Sequence, residues 1–230
     1  MNPAASPDSL GALRALGTCT VINAIETFAV RLRNEGFVDS SIRCLLPGLG
    51  AAAGHAVTVR MRSASPPPDG HPYPDRTDWW NYILTVPAPR MVIIQDVDAT
   101  PGIGSFIGEI HGNILRALDC VGAVTNGSVR DLPALEAAGF PVFASGLSVT
   151  HAYAHIVSFG TQVEVGGLKV QSGDVLLADL HGVVSVPPDL IQRIPAVATD
   201  ILTRERRLVE FCRSREFTVE RLRDAVRNIF

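Results

Sequence analysis

From residue 91 onward the chain alternates between two hydrophobic periods, and this restricts its fold more than any other feature. "MVIIQDV" (91–97) is a continuous apolar run of the kind buried on both faces of a parallel sheet. "GEIHGNILRALDCVG" (108–122) then sets Ile110, Ile114, Leu115 and Leu118 on one helical face. "VGAVTNG" (121–127) reads as the next strand, "DLPALEAAG" (131–139) as a short helix and "PVFASG" (141–146) as another strand. Asp131 is placed to cap the short helix, with Pro133 in its first turn and Gly139 closing it. Strand, helix, strand, helix, strand requires a parallel sheet with right-handed crossovers.

The pattern changes after residue 150. "VEVGGLKV" (163–170) has a Gly-Gly turn between alternating arms, and "DVLLADLHGVVSVP" (174–187) repeats the arrangement with a turn at Leu180 to Gly182. Both read as antiparallel hairpins, with His181 and Asp179 forming the second turn. The chain closes with one long and one short amphipathic helix, in 187–214 and 218–229. Upstream, 20–34 has Val21, Ile25, Phe28 and Leu32 at helical spacing, with Thr20 as N-cap and Gly36 as stop. "HAVTVRMR" (55–62) alternates as a half-buried strand does. "SASPPPDGHPYPDRTD" (63–78) is a Pro-rich loop, either a surface excursion or a flap over a site. Trp79, Trp80 and Tyr82, just after it, either shape a pocket or pack. The expected architecture is one mixed α/β domain over residues 1–190, with a helical extension over 191–230 that packs on it or on a neighbouring subunit.

Composition narrows the function classes. With 47% hydrophobic and 19% charged residues in 230, the chain can bury a sizeable core. A net charge of −3 gives no electrostatic footprint for nucleic acid or an anionic membrane. No apolar run is long enough to span a bilayer, and the N-terminus has no signal-peptide pattern. The cysteines Cys19, Cys44, Cys120 and Cys212 form no CxxC pair, against both a zinc site and a disulfide framework. A cytoplasmic enzyme or regulator is the expectation.

In parallel α/β sheets, ligands bind beyond the carboxyl ends of the strands, beside helix N-termini. Two junctions qualify on the same sheet edge: "TPGIGSFIGE" (100–109), with glycines, backbone N–H groups and Glu109, and "VTNGSVRD" (124–131), with Arg130 and Asp131. Carboxylates suit a hard divalent ion such as Mg²⁺, and helix amides with an arginine fork suit a small carboxylate or enolate. Together these can hold a 2-oxo acid on a metal ion. Each part also has a plain structural reading: Asp131 as an N-cap, Arg130 as a hydrogen-bond donor, Glu109 as a favourable charge in a first helical turn. Neighbouring residues on a regular element point apart, which argues against a salt bridge as the reason for the pairing. Asp96 and Asp98 end a strand facing the same edge and are candidates to line the pocket. His151 and His155 stand at helical i, i+4 spacing, with packing or substrate contact favoured over a second metal.

"GE" at 108–109 followed by "RD" at 130–131, within "GAVTNGSVRD", "FPVFASG" and "VEVGGLKVQSGDVLLADLHGVVSVP", resembles the RraA-like family. That family joins class II 4-hydroxy-4-methyl-2-oxoglutarate/4-carboxy-4-hydroxy-2-oxoadipate aldolases with regulators of ribonuclease activity. The resemblance covers residues 10 to 190. It implies a single swivelling β/β/α-type domain, assembled as a homotrimer or hexamer. It further implies Asp131 as the direct ligand of Mg²⁺ or Mn²⁺, Glu109 as a second carboxylate acting directly or through water, and Arg130 as the group that polarises the 2-oxo acid. The backbone amides at Ile110 and His111, beside Gly108, would hold the substrate carboxylate. The implied activity is a metal-dependent lyase, either retro-aldol with release of pyruvate or an oxaloacetate-type decarboxylase; the alternative is a regulator that binds another protein. Where the aldolases have Asp this chain has Glu109, one methylene longer. They also recruit an acidic side chain from a neighbouring subunit; Glu205 and Glu210 on the C-terminal helix are candidates, neither of them favoured. A Schiff-base mechanism is excluded because Lys169, the only lysine, lies in a hairpin arm. A methyltransferase reading fails because glycine-rich "PGLGAAAGHAV" (47–57) precedes a strand instead of leading from one into a helix.

Overall fold

The computed structural model describes residues 5–68 and 76–229. Its helices are α1 (Pro7–Leu16), α2 (Thr18–Thr27), α3 (Arg76–Thr85), α4 (Glu109–Ala117), α5 (Leu132–Ala137), α6 (Ile194–Arg213) and α7 (Val219–Ile229). Its strands are β1 (Arg43–Cys44), β2 (Ala52–Arg62), β3 (Arg90–Asp96), β4 (Ser105–Ile107), β5 (Cys120–Val129), β6 (Val142–Leu147), β7 (His155–Phe159), β8 (Val163–Val165), β9 (Leu168–Val170), β10 (Val175–Asp179) and β11 (Gly182–Val186). The main sheet runs β1-β6-β5-β3-β2-β10-β11, with β4 added to β5 and β7 to β2. β2, β3, β5 and β6 are parallel, and β10 and β11 continue the sheet antiparallel. This is the mixed α/β fold expected from the alternation of periods.

Three apolar layers hold the sheet. Val57, Val59, Val92 and Ile94 point to one face and pack with Trp79 and Ile83 of α3, Leu115 of α4 and Leu135 of α5. Ala56, Met91, Ile93 and Val124 point to the other face, where the separate β8–β9 hairpin covers them with Val163, Val165, Leu168 and Val170. Toward β10 and β11, Leu177 and Val184 pack with Leu10, Leu13, Val21, Ile25 and Ile194 of the N- and C-terminal helices. β2 is therefore buried along nearly its whole length and not half-buried as its alternation suggests. Among its polar positions, Thr58 pairs its N–H and hydroxyl with Ser172 Oγ, while His55 Nδ1 and Arg60 Nε are buried without a partner among the described residues.

The first long helix differs from expectation. It starts at Thr18, two residues before the expected cap, and stops at Thr27. Ala29 turns left-handed at φ 51, so the apolar spacing that continues to Leu32 is not helical, and Leu32 is exposed. Among the described residues, no helix is long and apolar enough to cross a membrane.

Candidate functional site

β4 pairs in parallel with the end of β5, matching Ser105 to Ser128 and Ile107 to Val129. The loop expected at 100–109 thus contains a short strand, and the Arg130 N–H donates to the Ile107 carbonyl at 2.9 Å. Two strand-to-helix junctions, β4–α4 and β5–α5, consequently lie side by side. Gly108, Glu109, Ile110, His111, Arg130 and Asp131 all border one cavity of about 880 Å³ at this edge.

Asp131 occupies the N-cap position of α5, but its side chain makes no cap bond there. Its backbone is left-handed (φ 56, ψ 40), which turns the carboxylate across to the neighbouring helix. Oδ2 accepts from the Glu109 N–H, the first of α4, at 3.2 Å, and Oδ1 accepts from Arg130 Nε at 3.2 Å. The expectation that adjacent side chains point apart fails because a left-handed residue separates the two regular elements. The Glu109 N–H bond, then the Arg130 guanidinium and the charge of His151, hold the Asp131 carboxyl below the usual carboxylate range.

Gly108 has an ordinary extended backbone, so its requirement is space and not conformation. A Cβ there would lie 2.5 Å from Asp131 Oδ2 and 2.9 Å from Arg130 Cγ. Beyond it, α4 presents the N–H groups of Ile110 and His111 with no acceptor among the described residues. Such a first turn is an anion-binding position. Ile110 itself is 76% exposed. The buried side of α4 is His111, Gly112 and Leu115, one position round from the face expected, because His111 stacks on Phe106 at 4.9 Å and Gly112 abuts Leu135.

His111 lies edge-on to Trp79, and its Nδ1 is 2.7 Å from the Phe106 carbonyl. Burial pushes its imidazole pKa down, with Arg76 and His151 adding to the effect. The ring is therefore neutral near pH 7. His151 and His155 are not on a helix: residues 151–154 form a turn and β7 begins at His155. Both still border the cavity, with Tyr153 between them. His151 Nδ1 is 2.9 Å from the Ser105 carbonyl, and His155 Nδ1 is 2.6 Å from that of Tyr153.

Pro67, Arg76 and Trp80 also line the cavity. The described ends of the Pro-rich segment thus meet the cavity, while residues 69–75 lie outside the described residues. Trp79 is fully buried as packing, and Tyr82 stacks on Phe159 at 5.2 Å. Sequence reasoning missed Arg76 as a wall residue; its only signal was its place one helical turn before Trp80.

Asp96 and Asp98 do not border the cavity. Asp96 is buried and accepts from the N–H groups of Asp98 and Gly102, and Asp98 accepts from those of Ser63 and Ala64. They close the loop behind the site. Asp179 and His181 form the β10–β11 turn, as expected, and Glu205 and Glu210 lie on α6 away from the cavity.

A profile of the RraA-like family (Aldolase/RraA) matches residues 18–185. The chain is 26% identical over 132 residues to protein DlpA of Legionella pneumophila, a match spanning 55% of this chain and 21% of that protein. It is 27% identical over 126 residues to a Halalkalibacterium halodurans protein provisionally named 4-hydroxy-4-methyl-2-oxoglutarate aldolase, spanning 52% of this chain and 59% of that one. These matches thus span less than two thirds of either relative. Among solved structures, an uncharacterized protein from Pseudomonas syringae superposes with a TM-score of 0.75 at 22% identity, over 97% of this chain and 96% of that one. Streptomyces coelicolor RraAS2, described as an unusual member of the RNase ES inhibitor RraA family, superposes with a TM-score of 0.68 at 20% identity, over 93% and 99%.

Proposed function

For this chain, which belongs to the RraA-like family, we propose a divalent-metal-dependent lyase that cleaves a 2-oxo acid through an enolate. The family includes both aldolases and ribonuclease regulators. The observation that carries the enzymatic reading is the Arg130–Asp131 pair: a cation and a carboxylate in contact, facing one cavity, over the open amides of a helix N-terminus.

The donor set fits the metal proposed. Asp131 and Glu109 offer carboxylate oxygens only, and among the described residues no group of three or more His, Cys, Asp or Glu is arranged to hold an ion. One or two carboxylates with several retained waters is the usual protein share of an Mg²⁺ site, and Mn²⁺ takes the same donors. Asp131 would hold the ion directly and Glu109 directly or through water. When bound, such an ion supplies Lewis-acid stabilisation of negative charge on the 2-oxo oxygen.

The chain's own groups do the rest. The N–H groups of Ile110 and His111 bind the C1 carboxylate of the substrate. Arg130 uses Nε to hold Asp131, leaving Nη1 and Nη2 to donate to the C2 oxygen. As the bond to C3 breaks, charge accumulates on that oxygen, and a donor already in place stabilises it without reorganising. Retro-aldol cleavage would release pyruvate; loss of CO₂ from an oxaloacetate-type acid would pass through the same enolate.

The test is a pyruvate-release screen over 4-hydroxy-2-oxo acids and oxaloacetate, with Mg²⁺, with Mn²⁺ and with EDTA. Release that requires the metal is expected. No release from any acid with either metal would overturn the lyase reading and leave the ribonuclease-regulating branch of the family.

A further inference from the structure

We propose that His151 is the proton-transfer residue of this site, taking a proton from the substrate's 4-hydroxyl and returning it to C3. The assignment rests on the lyase reading above, in its retro-aldol form. There the 4-hydroxyl oxygen loses its proton as it becomes a carbonyl, the C3–C4 bond breaks, and its electron pair forms the pyruvate enolate. C3 must then gain a proton to give the methyl group. One imidazole can carry the same proton from oxygen to carbon and end as it began, so no further reactant is needed.

The tautomer is set by the fold. His151 Nδ1 lies 2.9 Å from the Ser105 carbonyl, which can only accept, so Nδ1 carries the hydrogen and Nε2 is left as a bare acceptor. Position is equally constrained. The Ser105 N–H returns a bond to the Thr150 carbonyl at 2.9 Å, so residue 105 grips the turn from both its N–H and its C=O. Ala152 is left-handed at φ 45, and its N–H is held by Thr150 Oγ1 at 2.9 Å. Gly104 has no room for a side chain because the His151 carbonyl lies against it. A strained, doubly tethered turn that presents a histidine to a cavity is the pattern of a positioned functional group.

Other groups at the cavity are less suited. Arg130 cannot accept a proton, and Asp131 is the carboxylate assigned to the metal, held in place by Arg130 and the Glu109 N–H. The His111 ring is buried and stacked on Phe106. Of the two other histidines bordering the cavity, His151 is the one tied to β4, the strand that leads into α4, through the Ser105 carbonyl, whereas His155 Nδ1 bonds to the Tyr153 carbonyl of its own turn. Lys169 pairs with Glu164 across the β8–β9 hairpin, away from the cavity.

The test uses the full chain with Mg²⁺ and His151→Asn, whose amide can still donate to the Ser105 carbonyl. Two rates are read: pyruvate release from a 4-hydroxy-2-oxo acid, and exchange of the pyruvate methyl protons in D₂O, followed by NMR. Binding of oxalate, a mimic of the enolate, is measured by calorimetry. Both rates should fall about 10²–10⁴-fold, with KM and oxalate affinity unchanged, and added imidazole should restore part of the exchange in His151→Ala. Wild-type rates in His151→Asn would overturn the assignment while leaving the lyase reading intact. Oxalate affinity falling in step with the rates would also overturn it, because His151 would then be a binding residue. A wild-type protein that neither cleaves nor exchanges pyruvate would remove both.

Discussion

Asp131 adopts a left-handed backbone that costs a non-glycine residue on the order of 1 kcal/mol, less for aspartate than for most. What this conformation achieves is direction: it brings Asp131 against Arg130 and over the start of α4. If Arg130 stabilises an enolate, its planar fork matters as well as its charge. Arg130→Lys should therefore lower kcat by about 10²–10³, the usual loss for one oxyanion donor, while metal affinity measured by calorimetry stays unchanged. Gly108→Ala probes the same contact from outside the pair. Its Cβ would press on Asp131 Oδ2, so both metal affinity and kcat should fall although no charged group is altered. The sequence made Glu109, Arg130 and Asp131 visible as a candidate set, because each ends a strand-to-helix junction on one sheet edge. It could not show their contact, because a single left-handed residue leaves no mark on hydrophobic periodicity. His151 was visible only as half of a helical pair that does not form.

At the scale of elements, two helix N-termini are capped by carboxylates distant in sequence. Asp131 caps α4, and Asp179, in the β10–β11 turn, caps α2 through the Thr18 N–H at 2.8 Å and the Thr18 hydroxyl at 2.7 Å. This explains why α2 begins at Thr18 and not at Thr20, the nearest local cap. Local pattern locates helices but does not register caps supplied from elsewhere in the fold. The strands of the parallel core were legible because continuous apolar runs need two covered faces. The burial of β2 was not, because it depends on the separate hairpin β8–β9. For Asp179, burial pushes the carboxyl pKa up, but the bonds from Thr18 and His181 outweigh it and the net shift is down. A depressed folded pKa contributes stability that is present above the unfolded value, about 3.9, and is lost as pH falls through the folded pKa. Urea midpoints measured between pH 6 and pH 3 should therefore fall with acid in the wild type, and fall less in Asp179→Asn.

Over the whole molecule, the cavity is walled by α4, α3, the β5–α5 junction and the 151–155 turn, so it depends on the assembled sheet and not on any one motif. Ile110, Leu147 and Val149 are exposed at 76%, 61% and 93%. α6 buries Ile194, Ala198 and Ile201 against the chain's own core, and α7 packs mainly on α6. We propose that the chain assembles as a trimer or hexamer. Light scattering at micromolar concentration should give three or six times the 24.6 kDa chain mass, and a monomer would contradict that. In the proposed reaction Asp131 holds the metal on which 2-oxo acid cleavage depends. Measuring Mg²⁺ affinity and metal-dependent pyruvate release together in wild type and Asp131→Asn decides this role. The asparagine variant should fold, as judged by circular dichroism, but lose both Mg²⁺ binding and pyruvate release. Wild-type Mg²⁺ affinity with undiminished release in that variant would remove Asp131 from the metal site.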